Sequence, residues 1–285
     1  MIKFINKTSL IDEINFIEEG GMRINGIVKK DIANKPLFSI ITVVKNSAHT
    51  LEKTINSVIN QSYENIEYII INGASTDGTG EIINKYKNKI DYWCNIKDDG
   101  LYEAMNFGLI VSTGSIIGII NSDDTYEGNA IEIVSNYFMN SSCSFVFGSV
   151  ERNYLQNNKI IKTGYNANRI KYNFDSQTSH SSGFFIKDDT QKILGLYNTK
   201  YRCSADYDLF YRMLVNNNFK GQSTSKDELI GIVASGGFSS KYGFWNHLNE
   251  ETKIRLNNNQ NKLLVFIIYI NTIFKRYIKI LFKQK

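Results

Sequence analysis

The sequence is poor in proline and cysteine, with one proline, Pro36, and three cysteines, Cys94, Cys143 and Cys203, among 285 residues. The cysteines are far apart, odd in number and without C-x-x-C or Cys/His metal spacing, which argues against a disulfide framework and a thiolate metal site. The first residues, MIKFINKTSL, lack the apolar core of a secretory signal peptide. A reducing, cytosolic compartment is the simplest interpretation.

Acidic residues are missing from one end of the chain. Residues 262–285 contain six basic residues and no acidic one, whereas residues 1–261 carry 27 basic and 28 acidic residues. A neutral body with a basic tail argues against a nucleic-acid-binding surface on the body, so we expect no nucleic-acid partner. The length suits one large α/β domain or two small ones.

Long apolar runs are also missing. The longest candidate, Leu263–Phe274, has 12 residues and includes Asn271, well short of the roughly 20 residues that span a bilayer. After it, four basic residues fall on one helical stripe among apolar neighbours: Lys275, Arg276, Lys279 and Lys283. This pattern favours a basic amphipathic helix on an anionic membrane surface. The alternative is a helix packed on the core or on a partner with its basic face in solvent.

From residue 37 onward, apolar β-branched runs alternate with amphipathic segments. LFSIITVVKN, NIEYIIIN and SIIGII are typical of strands that are buried on both faces, and helical patterns separate them. The alternation predicts a Rossmann-like, doubly wound, mostly parallel sheet within residues 36–240. Residues 1–35 are predicted to be an N-terminal extension, and residues 241–285 to be C-terminal helices. After about residue 140 the pattern is less regular, as in an elaboration of the same domain.

Ligands of such sheets bind beyond the carboxyl ends of the strands, where this sequence places KNSAHT, NGASTDGT, KDDG and NSDD. In the last segment, Asp123 and Asp124 are adjacent and repel each other unless a cation lies between or beside them. Carboxylate oxygens are hard ligands that suit Mg²⁺ or Mn²⁺. The alternative is that Asn121–Asp124 caps the following helix.

Two other acidic or amide-bearing segments admit the same pair of interpretations. In NGASTDGT, Asn72 and Asp77 could hydrogen-bond a base or a ribose, or Asp77 or Thr79 could simply cap a helix. The segment is neither a phosphate-binding loop nor a dinucleotide fingerprint, because G-x-x-x-x-G-K-[ST] and G-x-G-x-x-G are both missing. In SADYDLFYR, Asp206 stands at a predicted helix start, where a carboxylate is favoured even without a catalytic role.

Taken together, the segments resemble a known family. FSIITVVKN, SVINQSYENIEYIIINGASTDGT, DDGLYEAMNFG, STGSIIGIINSDD and SADYDLFYR, in this order and spacing, resemble the inverting, nucleotide-sugar-dependent glycosyltransferases of family 2, which have the GT-A fold. Within that family the chain is most similar to enzymes of bacterial surface-polysaccharide assembly. The resemblance covers roughly residues 37–240 and implies that the less regular second half lies on the acceptor side.

The resemblance also implies roles for single residues. The positions that match those holding the nucleotide or nucleotide sugar are Thr42, Asn46, Asn72, Asp98, Asn106 and Asp123. Asp123 matches the carboxylate of the D-x-D motif that binds Mn²⁺ or Mg²⁺ on the diphosphate, with Asp124 as a supporting ligand, and Asp206 matches the catalytic base. Two positions depart from the pattern, since Asn72 stands where many relatives have Asp and Asn121 occupies the first D-x-D position. His180 could reach the acceptor or the diphosphate, or could be structural.

The implied reaction is transfer of a hexose or N-acetylhexosamine, with inversion, from a UDP-sugar to a lipid-linked oligosaccharide. The implied location is cytoplasmic and peripheral, on the inner face of the cell membrane. Inversion needs a base for the acceptor hydroxyl and charge stabilisation on the departing nucleoside diphosphate. Two alternatives remain: a non-catalytic subunit that binds nucleotide sugars, suggested by Asn72 and Asn121, and a nucleotidyltransferase on a similar sheet.

Overall fold

The computed structural model describes residues 16–154, 158–173, 180–237 and 242–283. The strands in chain order are β1 (Phe16–Gly20), β2 (Phe38–Val44), β3 (Ile66–Asn72), β4 (Tyr92–Ile96), β5 (Ile116–Asn121), β6 (Thr125–Tyr126), β7 (Phe145–Phe147), β8 (Ser149–Tyr154), β9 (Asn158–Lys162), β10 (Phe184–Lys187), β11 (Gly221–Ser223) and β12 (Leu229–Val233). The helices are α1 (Ala48–Ile59), α2 (Thr79–Lys85), α3 (Leu101–Val111), α4 (Ala130–Asn140), α5 (Ala167–Tyr172), α6 (Asp188–Leu194), α7 (Ala205–Tyr211), α8 (Phe244–Asn257) and α9 (Lys262–Lys283).

The main sheet has eight strands in the order β1-β4-β3-β2-β5-β10-β7-β11. Its centre, β4-β3-β2-β5, is parallel, and β2 and β3 are buried along their whole length. These strands are nearly continuous runs of Ile and Val, which is typical of strands that are covered by helices on both faces of a sheet. The predicted doubly wound, mostly parallel α/β sheet is confirmed.

The order of the strands reverses at β2. The chain lays β3 and β4 on one side of β2 and then returns to lay β5 on the other side. The registers place Val44 opposite Asn72, and Val43 opposite Asn121. The polar ends of β3 and β5 therefore flank the end of β2 at one edge of the sheet, where α/β proteins of this topology bind ligands.

The second half adds antiparallel strands and a second sheet. β10 lies antiparallel between β5 and β7, and β11 pairs parallel with β7. A smaller sheet in the order β6-β12-β8-β9 stands beside the main one. Its residues Val150 and Ile230 are fully buried in the same apolar cluster as Phe185 of β10, so the two sheets share a core.

The described part of the predicted N-terminal extension belongs to the main sheet. β1 pairs antiparallel with β4. Arg23 lies 2.9 Å from Glu67 and Lys29 lies 2.9 Å from Asp91, and both acidic side chains are 3% exposed. Because each of these buried carboxylates has a cation from the extension beside it, residues 16–35 are held firmly on the core.

The two C-terminal helices differ in how they contact the rest. Arg255 of α8 is fully buried and donates hydrogen bonds to the carbonyl oxygens of Ile170 and Lys171 at 2.8 Å each. In α9, Val265 and Ile268 are buried, but large apolar side chains along the rest of the helix are exposed. No helix in the described ranges is both long enough and apolar enough to cross a membrane.

Candidate active site

The loops that follow β2 and β3 are joined by hydrogen bonds. The backbone N–H of Asn46 donates to Ser75 Oγ at 2.8 Å, and Asn46 Oδ1 accepts from the N–H of Thr76 at 2.8 Å. Asn46 adopts φ 51°, a left-handed conformation that asparagine tolerates better than most residues. The two loops, predicted to hold a nucleotide, therefore form one connected surface.

Asn72 and Asp77 have different roles in these loops. Asn72 Oδ1 accepts from Ser75 Oγ at 2.6 Å, while none of the hydrogen bonds within the described ranges uses Asn72 Nδ2. Asp77 accepts from Thr79 Oγ1 at 2.6 Å and from the N–H of Ala48 at 3.1 Å, and these bonds, that of Thr79 first, lower the pKa of Asp77. Asp77 thus caps helix starts, whereas the Nδ2 group of Asn72 is not bonded by any described residue.

Asp98 lies beside the same loops. Its side chain is only 4% exposed, and its Oδ1 is 3.5 Å from Nζ of Lys45. A Cβ atom at Gly73 would collide with the carboxylate of Asp98, so glycine at position 73 lets the carboxylate approach the end of β3. Asp98, Asn46 and Asn72 are therefore brought together, as the sequence predicted.

Two other predicted contact residues lie elsewhere. Thr42 is fully buried within β2, with its hydroxyl 3.1 Å from the hydroxyl of Tyr68. Asn106 donates to the carbonyl of Tyr197 at 2.9 Å and accepts from the N–H of Tyr197 at 2.8 Å. Both side chains are bonded inside the fold and are not brought to the strand ends. Their contact with a nucleotide remains a prediction without support from the geometry.

Asp124 is part of the fold at the end of β5. It is 1% exposed; its Oδ1 accepts from the N–H of Ala234 at 2.9 Å, and its Oδ2 accepts from the Ser182 hydroxyl and from Asn121 Nδ2, the latter at 3.0 Å. Burial raises the pKa of Asp124 to about 6, although these hydrogen bonds oppose the rise. Asp124 thereby joins the end of β5 to the end of β12 and to the 3₁₀ turn Ser181–Gly183.

Asp123, one residue earlier, is only partly buried, and no described residue donates a hydrogen bond to its carboxylate or pairs with it. Gly237 faces it, since a Cβ atom at position 237 would lie 3.7 Å from Asp123 Oδ2. The described ranges contain no group of three or more His, Cys, Asp and Glu side chains that could enclose a metal ion. A hard ion at Asp123 would fit if a ligand supplied further oxygens, as a diphosphate does.

Asp206 lies in the first turn of α7 and is held at one oxygen. Oδ1 of Asp206 accepts from the N–H of Tyr207 at 2.8 Å and from the Tyr102 hydroxyl at 3.2 Å. Burial raises the pKa of Asp206, while both hydrogen bonds lower it. A carboxylate with a raised pKa is a stronger base than a solvated one, which suits proton abstraction.

Two residues that position Asp206, Tyr102 and Glu250, were not predicted from the sequence. Tyr102, in the first turn of α3, connects the KDDG loop to Asp206. Glu250 of α8 accepts from the N–H groups of Arg202 and Cys203 at 2.7 and 3.0 Å, and so fixes the loop that leads to Asp206. Tyr102 belongs to the segment DDGLYEAMNFG, but the sequence offers no local signal for Glu250.

His180 is bonded to the same turn as Asp124. Its Nδ1 accepts from the N–H of Ser182 at 3.2 Å and lies 3.9 Å from Asp124 Oδ2. Burial, and secondarily the positive charge of Arg152, lower the pKa of His180 to about 3, so the ring is neutral. The contacts favour the structural interpretation of this residue.

The chain is similar in sequence to known proteins over most of the predicted domain. The family model described as "Glycosyl transferase family 2" matches residues 39–210. Chondroitin synthase of Pasteurella multocida is 29% identical over 190 residues, 65% of this chain and 20% of that protein. The putative teichuronic acid biosynthesis glycosyltransferase TuaG of Bacillus subtilis is 34% identical over 117 residues, 40% of this chain and 46% of that one. The chain thus spans less than half the length of both proteins.

A third relative matches at more similar length. The UDP-Glc:alpha-D-GlcNAc-diphosphoundecaprenol beta-1,3-glucosyltransferase WfgD of Escherichia coli is 26% identical over 207 residues, 72% of this chain and 76% of that protein.

Solved structures share the fold. S. aureus TarS residues 1–349 in complex with UDP-GlcNAc superposes with a TM-score of 0.61 at 16% identity, covering 82% of this chain and 70% of that one. The mannosyltransferase PcManGT of Pyrobaculum calidifontis, in complex with GDP-Man and Mn²⁺, superposes with a TM-score of 0.57 at 14% identity, covering 92% and 73%. These likenesses confirm the predicted GT-A fold.

Proposed function

The chain belongs to glycosyl transferase family 2, and we propose that it transfers a hexose or N-acetylhexosamine from a UDP-sugar, with inversion, to a lipid-linked oligosaccharide. The proposal rests on the surroundings of two carboxylates near the carboxyl ends of the strands. Asp206 has a raised pKa and a hydroxyl donor that orients it, and Asp123 has no partner within the described ranges. The two suit a base and a metal ligand.

In the proposed reaction, Asp206 accepts the proton of the acceptor hydroxyl while the hydroxyl oxygen attacks the anomeric carbon. The bond between that carbon and the diphosphate oxygen breaks, and the nucleoside diphosphate leaves with the electron pair. Attack from the face opposite the leaving group inverts the anomeric centre. Tyr102 and the N–H of Tyr207 hold Asp206 Oδ1 in place during the proton transfer.

Asp123 would hold a Mn²⁺ or Mg²⁺ ion together with oxygens of the diphosphate. When bound, such an ion supplies Lewis-acid stabilisation of the charge on the leaving group. Asp124 was predicted as a second ligand, but both of its oxygens accept hydrogen bonds inside the fold. In the proposal Asp124 therefore acts as support: it fixes the backbone from which Asp123 projects.

A UDP-sugar donor is supported by the relatives and by the loops. WfgD is named for the donor UDP-Glc and the TarS complex holds UDP-GlcNAc, whereas the PcManGT complex holds GDP-Man. In this chain, no described residue accepts from Asn72 Nδ2, which in the proposal donates to an acceptor atom of the base or ribose. Asn46 and Asp98 lie around it.

The lipid-linked acceptor and the membrane location rest on α9. Its buried residues Val265 and Ile268 lie in its first half, and Arg276 stacks on Phe244 of α8 with 4.1 Å between guanidinium and ring centre. Large apolar side chains of the second half are exposed beside basic ones: Phe274, Tyr277, Leu281 and Phe282, with Lys275, Arg276 and Lys279. An anionic membrane surface would cover the apolar side chains and attract the charges.

The donor is tested by thermal unfolding with a panel of nucleotide sugars, each with and without Mn²⁺. A ligand that binds the folded state only raises the midpoint of unfolding. We expect one UDP-sugar to raise it, and only with the metal. Stabilisation by GDP-sugars alone, or equally with and without metal, would contradict the proposed donor or the proposed metal.

The membrane location is tested by co-sedimentation with vesicles containing anionic lipid. Replacing Lys275, Arg276 and Lys279 by Gln should release the protein, since each charge near such a surface contributes about 1 kcal/mol. A matched control replaces three exposed lysines elsewhere, Lys53, Lys87 and Lys89, by Gln and should leave binding unchanged. Equal binding by both variants and the wild type would refute the membrane role of α9.

A further inference from the structure

Arg152 in the small sheet is a partly buried cation whose side chain has no hydrogen-bond or ion-pair partner among the described residues. Its Nε atom is inaccessible to solvent and has no hydrogen-bond partner, and no described acidic side chain forms an ion pair with it. The neighbouring Glu151 does not neutralise it, because Glu151 is paired at 2.9 Å with Lys159. Leaving a desolvated charge unpaired costs folding free energy, so a charge held in this way is a candidate for ligand binding.

The position of Arg152 connects it to the proposed active site. In the parallel pairing of β8 with β12, Arg152 lies opposite Val233, the last residue of β12, and the N–H of the following residue, Ala234, donates to Asp124. Side chains two residues apart on a strand share a face. Arg152 therefore points to the same side as the fully buried Val150, toward the main sheet.

The electrostatics of His180 agree with that direction. The positive charge of Arg152 is close enough to His180 to lower its pKa. His180 in turn lies 3.9 Å from Asp124. His180 and Ala234, the residue after β12, both contact Asp124, so the part of the fold around Arg152 adjoins the end of β5.

We propose that Arg152 binds a phosphate group of a substrate, which would supply the missing anionic partner beside the reaction centre. A guanidinium presents a planar fork of N–H donors that matches the oxygens of a phosphate. The inference rests on the proposed function, which offers two sources of phosphate. One is the diphosphate of the donor, and the other is the phosphate that links the acceptor saccharide to its lipid.

Binding measurements on purified protein test the assignment without requiring transfer. Two probes are titrated calorimetrically into each variant in the presence of Mn²⁺: UDP, for the donor, and farnesyl diphosphate, for a lipid phosphate. Arg152→Gln should raise the Kd of at least one probe about tenfold or more, the scale of one charge-assisted hydrogen bond. Arg152→Lys should fall between this variant and the wild type, because an ammonium keeps the charge but not the fork.

Lys159→Gln is the matched control. It removes one positive charge from the neighbouring strand on the opposite face, where Lys159 is 64% exposed, and should leave both Kd values unchanged. An effect of Arg152→Gln on UDP alone assigns the donor diphosphate, and an effect on farnesyl diphosphate alone assigns the lipid phosphate. Effects on both show a phosphate site open to either.

Three results would overturn the proposal: no change in either Kd, an equal effect of Lys159→Gln, or no binding of either probe by the wild type. A purely structural Arg152 would lower the midpoint of thermal unfolding when replaced, whereas removal of an unpaired charge should leave it unchanged or higher. Because the experiment measures binding and not transfer, the Arg152 proposal can fail while sugar transfer is intact. Conversely, transfer can fail while phosphate binding depends on Arg152.

Discussion

Two segments that are distant in the sequence, NSDD at residues 121–124 and ADYD at 205–208, each carry two aspartates in unlike surroundings. Asp124 and Asp208 are almost completely buried and accept hydrogen bonds at both carboxylate oxygens. Asp123 and Asp206 are only partly buried. Asp123 accepts no hydrogen bond from the described residues, and Asp206 accepts from the Tyr102 hydroxyl and the Tyr207 N–H at a single oxygen.

The comparison shows how to distinguish a carboxylate that stabilises the fold from a neighbouring one that is available for binding or catalysis. A carboxylate whose oxygens are all bonded within the protein has little capacity left for a metal or a substrate proton. A carboxylate with an unbonded oxygen retains that capacity and contributes less to stability. Residue type is the same in both kinds, so only the hydrogen-bond partners distinguish them.

The largest expected effect concerns Asp206. Asp206→Asn should lower the rate of sugar transfer by about 10²–10⁴-fold, the usual contribution of general base catalysis, while leaving the Kd for UDP unchanged. The rate of transfer to acceptor under saturating donor is the measurement. Asp208→Asn is the control, and it should retain transfer as long as the protein is folded. An unchanged rate in Asp206→Asn would refute Asp206 as the base, whereas UDP binding without any transfer by the wild type would favour a non-catalytic, sugar-nucleotide-binding subunit.

The next largest effect is a loss of stability, and here Asp208 is the sensitive residue and Asp206 is the control. Asp208 is paired at 2.9 Å with Nε of Arg212 and accepts from Asn258 at 3.0 Å, both with the carboxylate buried. Asp208→Ala should reduce the free energy of unfolding by roughly 3 kcal/mol, because Arg212 loses its partner in a buried setting. Urea unfolding measures this free energy. An equally large loss in Asp206→Ala would contradict the assignment of Asp208 to the fold and Asp206 to the site.

The smallest effect is a change in pH dependence. Burial raises the pKa of Asp206 and the hydrogen bond from Tyr102 lowers it, so Tyr102→Phe should raise that pKa further. As pH falls, the base becomes protonated and transfer is lost. The acid limb of the profile of kcat/KM should therefore move to higher pH in Tyr102→Phe. A limb that stays in place, or moves to lower pH, would contradict the role of Tyr102.

The central strands and the polar loops at their ends could be predicted from sequence because apolar periodicity is a local property. So could the grouping of Asn46, Asn72 and Asp98, since the ends of parallel strands meet at one edge. Partners distant in sequence could not be predicted. Ser182 and Ala234 bond Asp124 across 58 and 110 positions.

Because distant partners could not be predicted, two residues were predicted at the site that the structure does not bring there. Thr42 and Asn106 have polar side chains in the expected segments. Which way each points, however, depends on Tyr68 and on the backbone of Tyr197. For Asn106 that partner is 91 residues away. The basic, apolar tail could be recognised from sequence, but the burial of Val265 and Ile268 against the rest of the chain could not.

The most direct test of the division between fold and site is thermal unfolding of Asp123→Ala and Asp124→Ala, each with and without UDP and Mn²⁺. The midpoint without ligand reports the role in the fold, and its rise on adding ligand reports the role in the site. Asp123→Ala should unfold at the wild-type midpoint and lose the metal-dependent rise. Asp124→Ala should be destabilised by roughly 2–4 kcal/mol, because its donors lose a buried acceptor, and should keep a rise on adding ligand. If both variants lost the same stability and the same ligand response, the two aspartates would share one role and the division would be wrong.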